Sequence, residues 1–210
     1  MSLFTMQEAR RSAGQASGAT SSELLVESVL NVRADAKFRV LAEAARTTPV
    51  RTFDIFLSHA FADQAIVLGI YTLLSQSGFA VYVDWIHDRQ LDRSVVSPAT
   101  ADVLRKRMRQ CKSLFFVTTT NATNSKWMPW ECGYFDGFDS KSIGEAVQHG
   151  HVAILPVVDE GQGTFKGQEY LGLYPLAEKG NYPRRNVDIH NQTDRTRYKH
   201  FDAWVANGHP

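Results

Sequence analysis

The sequence predicts an α/β domain, a parallel sheet of about five strands with helices on both faces, behind an N-terminal helical extension. Two observations carry this. From Phe53 onward, short continuous apolar runs alternate with segments of helical periodicity, the pattern of strands buried on both faces under crossover helices. Before Pro49 there is one long helical period and no strand pattern. The organisation expected is a flexible N-terminus over 1–19, a helix extension over 20–49, and the α/β domain with its closing helix over 50–210.

Residues 1–19 are rich in Ser, Ala and Gly, a composition that favours flexibility. Thr20-Ser21-Ser22-Glu23 has capping-box spacing. Leu25, Val29, Val32, Ala36 and Val40 then recur at helical intervals, until Thr47-Thr48-Pro49 ends the helix. Phe53–Ser58 is the first buried strand. Ile66, Ile70, Leu73 and Leu74 form a helix face stopped at Ser77-Gly78. Phe79–Val83 is the second strand, followed by a polar loop from Asp84 to about Val96. Ser97-Pro98 starts a helix whose buried stripe is Ala101, Leu104, Met108 and Cys111. Ser113–Thr118 is the third strand, a helix covers Trp127–Phe138, and Val152–Val158 is the fourth strand. Glu169–Leu173 reads as a short fifth strand, and Thr196–Ala206 as a closing helix anchored by Tyr198, Phe201 and Trp204.

The chain of 210 residues is 43% hydrophobic and 21% charged with net charge +1, which argues against a polyanion-binding protein. No nucleic-acid partner is expected. No apolar run approaches the eighteen or so residues of a membrane span, and the N-terminus lacks a signal-peptide core. Cys111 and Cys132 fall in predicted helices without metal-ligand spacing, as buried thiols of a reducing compartment do. A cytoplasmic protein without a metal site is expected.

In a sheet of this kind, ligands bind beyond the carboxyl ends of the strands. The segments expected there are Ser58–Asp63, Asp84–Val96 and Thr118–Glu131. The richest stretch is Ser125-Lys126-Trp127-Met128-Pro129-Trp130-Glu131. Pro129 is placed to open a helix, Glu131 lies in the first turn where the helix dipole favours an anion, and Trp127 stands one turn before it. A carboxylate beside a flat aromatic wall suits a sugar carrying positive charge. The competing reading is a core helix whose Glu caps its own first turn.

Other motifs carry less. Ser58-His59 comes with no G-x-S-x-G elbow, His149-Gly150-His151 has no further spaced ligands, and there is no Gly-rich phosphate loop. The run Arg105-Lys106-Arg107-Met108-Arg109 reads as a solvated helix face.

Taken in order, Phe53-Asp54-Ile55-Phe56-Leu57-Ser58-His59-Ala60 with Asp63, Gly78–Asp84 leading into a long loop, Leu114–Thr118, and Trp127 four residues before Glu131 resemble a bacterial TIR (Toll/interleukin-1 receptor) domain. The resemblance covers residues 50–160. It implies a flavodoxin-like sheet and cleavage of NAD+ at the nicotinamide–ribose bond, with NAD+ as substrate and no cofactor. It makes Glu131 the catalytic carboxylate and Trp127 a pocket wall. His59, Ala60 and Phe61 would border the nicotinamide, and Asp84 and Trp85 would begin the loop that closes over it.

The chemistry agrees with the residues. Loss of nicotinamide leaves an oxocarbenium-like ribose, which a carboxylate stabilises. The leaving group is already cationic and departs neutral, so one Glu suffices. Similar standalone TIR proteins of Thoeris antiphage systems turn NAD+ into cyclic or histidine-linked ADP-ribose signals for a separate effector. The expected product is ADP-ribose or a cyclic or conjugated form of it, and the expected partners are a second copy, through the TIR domain, and a downstream effector. One departure is the loop after Asp84, where Asp92 rather than a Gly follows Leu91. Two alternatives stand beside the enzyme: a non-catalytic module signalling by homotypic assembly, and a nucleoside deoxyribosyltransferase-like enzyme, which also uses a Glu.

Overall fold

The structure is a computed structural model that describes residues 2–17, 52–88, 91, 96–143, 146–148, 150–159 and 167–210. In chain order its elements are β1 (Phe4–Thr5), α1 (Met6–Ser17), β2 (Phe53–Ser58), α2 (Gln64–Gln76), β3 (Val81–Tyr82), α3 (Asp84–His87), α4 (Pro98–Met108), β4 (Cys111–Thr118), α5 (Met128–Asp139), β5 (Lys141–Ile143), β6 (Ala146–Gln148), β7 (Val152–Val158), β8 (Leu176–Lys179), β9 (Val187–His190), β10 (Tyr198–His200) and α6 (Phe201–Asn207). The central sheet runs β10-β9-β8-β7-β4-β2-β3, and β1 pairs with β7. Strands β3, β2, β4, β7 and β8 are parallel, whereas β9 and β10 fold back antiparallel at one edge. Strands β5 and β6 form a separate hairpin.

Each central strand feeds two cores, because successive side chains point to opposite faces. On β4, Phe115 and Val117 join Val67, Ile70, Leu74, Phe201 and Trp204 on one face. Leu114 and Phe116 join Leu104, Met108, Met128, Cys132 and Phe135 on the other. The unbroken apolar runs follow from that double burial. Both faces are covered by helices, as expected.

The N-terminal residues correct the flexible reading of 1–19. Phe4 pairs with Val157 and is buried, Lys179 donates its N–H to the Ser2 carbonyl at 3.1 Å, and Lys179 Nζ meets Glu8 at 2.6 Å. Helix α1 packs on α2 through the buried Ala9. A Cβ at Gly69 of α2 would overlap the backbone carbonyl of Ala9, so the small residues that suggested disorder are what lets the two helices touch. The helix expected over 20–49 lies outside the described residues.

Three further expectations change. Cys111 opens β4 rather than ending the preceding helix, and its thiol donates to the Arg107 carbonyl at 3.2 Å. Glu169–Leu173 is a 3-10 turn, not a strand; Gln192 Nε2 donates to the carbonyls of Leu171 at 2.6 Å and Tyr174 at 2.5 Å, and the fifth parallel strand is β8. The closing helix starts only at Phe201. Tyr198 lies in β10, 47% exposed and stacked on His190, while Phe201 and Trp204 are fully buried.

Candidate active site

Helix α5 begins with Met128 and carries Pro129 at its second position. Its N-cap is Trp127, which makes no side-chain cap bond, and Ser125 Oγ, two residues before, accepts the Met128 N–H at 3.2 Å. Glu131 is turned to a partner on β2. Its carboxylate is fully buried, and Oε2 accepts a hydrogen bond from Ser58 Oγ at 2.5 Å, across 73 residues of sequence. The contact is at the short end of the range for O–H···O hydrogen bonds. Ser58 ends β2, where it pairs with Phe116 on β4, so the contact lies at the carboxyl edge of the sheet, where the crevice is expected.

The residues after Ser58 spread over this edge. The His59 ring sits 2.8 Å from the Leu57 carbonyl through Nδ1, and its Nε2 receives the Trp85 indole N–H at 3.1 Å. Indole nitrogen is donor only, so Nε2 holds the lone pair and Nδ1 carries the proton. Asp84 Oδ1 lies 3.6 Å from Nε2 and accepts the Trp85 backbone N–H at 2.8 Å. Ala60 is buried in the α4–α5 core, whereas Phe61 is 73% exposed at the start of a 3-10 turn, Phe61–Asp63. Asp63, also buried, accepts from Thr119 Oγ1 at 2.5 Å and Asn121 Nδ2 at 2.7 Å. The loops after β2, β3 and β4 are thereby tied to one another.

The stem of the loop after β3 is fixed by an ion pair that the sequence reading missed. Arg107 of α4 grips Asp88 with both arms of its guanidinium, at 2.8 and 2.7 Å, and Tyr82 Oη donates to the same carboxylate at 2.7 Å. Burial raises the Asp88 carboxyl, but the Arg107 hydrogen bonds and the Tyr82 hydroxyl outweigh it and hold it below its usual range. Burial first, and then the charges of Asp88 and Asp84, push the Tyr82 phenol well above its ordinary value. The basic run is therefore not simply a solvated face, since Arg105 and Arg109 also stack on aromatics of α5. Residues 89–90 and 92–95 of this loop lie outside the described residues.

Trp127 faces a neighbouring cleft. Together with Trp130, set edge-on at 5.5 Å, it lines a cavity of about 340 Å³ with Val96, Ser97, Pro98, Ala101 and Lys126. Glu131 is one helical turn farther along α5 and does not line this cavity. The structure thus brings Glu131 to Ser58, and His59 to Trp85 and Asp84, and sets Trp127 on the adjoining wall. Ser58 was within an expected crevice segment but carried no pattern of its own. Arg107 was hidden by its basic neighbours.

No protein-family profile matches the chain. A probable 3′ cyclic ADP-D-ribose synthase, ThsB′, of Bacillus cereus (strain MSX-D12) is 46% identical over 159 residues, which is 74% of this chain and 76% of that protein. The chain belongs to the ThsB′-type TIR family. A putative cyclic ADP-D-ribose synthase, TIR2, of Cytobacillus dafuensis is 34% identical over 85 residues, 40% of this chain but only 22% of that protein. The parallel sheet, with helices on both faces, is the flavodoxin-like fold expected of a TIR protein. Among the described residues no helix is long and apolar enough to cross a membrane.

Proposed function

We propose that this ThsB′-type chain cleaves the nicotinamide–ribose bond of NAD+ and closes the remaining ADP-ribose into a cyclic signal for antiphage defence. The observation that carries the reading is the buried Glu131 at the carboxyl edge of the sheet, in a chain 46% identical to a probable 3′ cyclic ADP-D-ribose synthase. In the reaction the C–N bond breaks with its electron pair passing to the nicotinamide ring nitrogen, which leaves neutral. The ribose carbon becomes oxocarbenium-like, and Glu131 is the catalytic group that stabilises it. A hydroxyl of the same molecule attacks that carbon and releases its proton, so NAD+ yields nicotinamide, a cyclic ADP-ribose and one proton.

His59, Ala60 and Phe61 border the nicotinamide, Asp84 and Trp85 begin the covering loop, and Trp127 walls the site. The enzyme acts in the cytoplasm, assembles through its TIR domain, and hands its product to a separate effector. NAD+ is substrate, and no resident cofactor or metal takes part.

Incubating purified protein with NAD+, with and without lysate of phage-infected cells, tests this. Nicotinamide release, together with a product one water lighter than ADP-ribose by mass spectrometry, is expected. Glu131→Gln should stay folded and lose at least about a hundredfold in rate. Absence of NAD+ loss in every condition would leave the assembly module as the reading, and a fully active Glu131→Gln would remove Glu131 from the chemistry.

A further inference from the structure

Resting on that reading, we infer that Ser58 is a positioning residue for Glu131, holding its carboxyl group in one orientation for the ribose. Both residues are fully buried, and the hydroxyl stands 2.5 Å from Oε2. On this contact the Ser58 hydroxyl is the donor and Glu131 Oε2 the acceptor. A buried hydroxyl without a partner is costly. At the end of a strand whose other residues are mostly apolar, a serine is therefore explained by what it donates to.

Strand alternation decides where that hydroxyl points. Phe56 lies in the core under α4 and α5, while Ile55 and Leu57 lie in the opposite core. Ser58 continues the Phe56 face and meets α5. Its strand lies between two others, for Phe56 pairs with both Tyr82 and Leu114, and Ser58 itself pairs with Phe116 of β4. The donor thus comes from a central strand of the sheet, and the acceptor from the first turn of a helix that begins at the crevice. Such fixed donors cost no reorganisation when charge develops on the sugar.

Ser58→Ala is expected to lower kcat by about tenfold to a hundredfold, the effect of losing a hydrogen bond to a charged group. KM for NAD+ should stay within about twofold, because the interaction is made with the catalytic group and not with the substrate. In a Glu131→Gln background, the same substitution should cost no further rate, since two residues acting as one unit are not additive. Ser58→Thr, which keeps the hydroxyl, should recover most of the rate. If Ser58→Ala does not fold, Ser58→Cys keeps the size with a weak donor and carries the same expectation.

The inference is overturned by an unchanged kcat, by a loss that appears only in KM, or by an equal loss in the Glu131→Gln background. Urea unfolding of Ser58→Ala, Glu131→Gln and the double variant tests the pair without any activity. Coupled losses of stability are expected, and strictly additive ones would overturn the inference. If the wild-type protein consumes no NAD+ while the two losses are coupled, it is the proposed reaction that fails and not the contact.

Discussion

Arg185 Nη1 stands 3.0 Å from Asp54 Oδ2, joining the turn before β9 to the first central strand across 131 residues. The same guanidinium bonds Asp202 of α6 at 2.7 Å and lies over Phe79 at 4.5 Å and Phe201 at 5.3 Å. Lys112 Nζ, at 2.9 Å, and the Ala80 N–H, also at 2.9 Å, complete the shell around Asp54. Burial raises this carboxyl, but Arg185, Lys112 and the Ala80 N–H prevail and bring it down to about 2.

A depressed carboxyl contributes stability above its unfolded value and loses it as pH falls through the folded one. The contribution of Asp54 is therefore complete above about pH 4 and disappears toward about pH 2. Thermal melts of the wild type should fall steeply across that interval, and those of Asp54→Asn should fall less. At neutral pH, Asp54→Asn should be less stable by about 2 kcal/mol. Parallel acid profiles for the two proteins would contradict this.

Gly69→Ala should destabilise the protein, although Ala is the better helix former by about 1 kcal/mol. The added methyl meets the Ala9 backbone, which has no flexible end to yield, and such overpacking typically costs about 1–3 kcal/mol. Hydrogen exchange should speed up selectively in α1. Wild-type exchange there, with a raised melting temperature, would mean that the helices are not in contact.

Arg107→Met should leave the buried Asp88 without its fork and lower stability by about 2 kcal/mol. Exchange should increase through α3, because the ion pair ties the end of that helix to α4. A double variant with Asp88→Asn should lose less than the sum of the two single losses.

Trp85→Phe keeps a ring in place but removes the indole N–H that reaches His59 Nε2 at 3.1 Å. With NAD+ as substrate, KM is expected to rise by about threefold to tenfold, the worth of one ordinary hydrogen bond, with kcat little changed. A loss confined to kcat would place Trp85 in the chemistry instead.

The parts of the fold that were legible share one cause. Strands β2, β4 and β7 are buried on both faces, so their sequences are continuous apolar runs, and Ser97-Pro98 and Gly78 mark boundaries by local geometry. The position of Glu131 in the first turn of a helix was legible because Pro129 marks that helix's start. What was missed depends on distant partners. Strands β8 and β9 carry Glu178 and Asp188, charged residues that disguise a strand, and the buried Glu178 is paired with Arg195, seventeen residues away. Helix α1 was missed since Ala9 and Gly69 hold it by closeness and not by apolar bulk. Ser58 means little until Glu131 is brought back to it.

The pairing of β1 with β7 bears on how the chain reaches this state during synthesis. Phe4 leaves the ribosome ahead of β2, β3 and β4, yet its neighbour Val157 appears only after all three have been made. Strand β1 must therefore wait for β7 while those strands are made, and joins it late. Contacts so far apart in sequence slow the final step. An early helix α1, resting on α2, would keep the waiting strand close to the place it is to take.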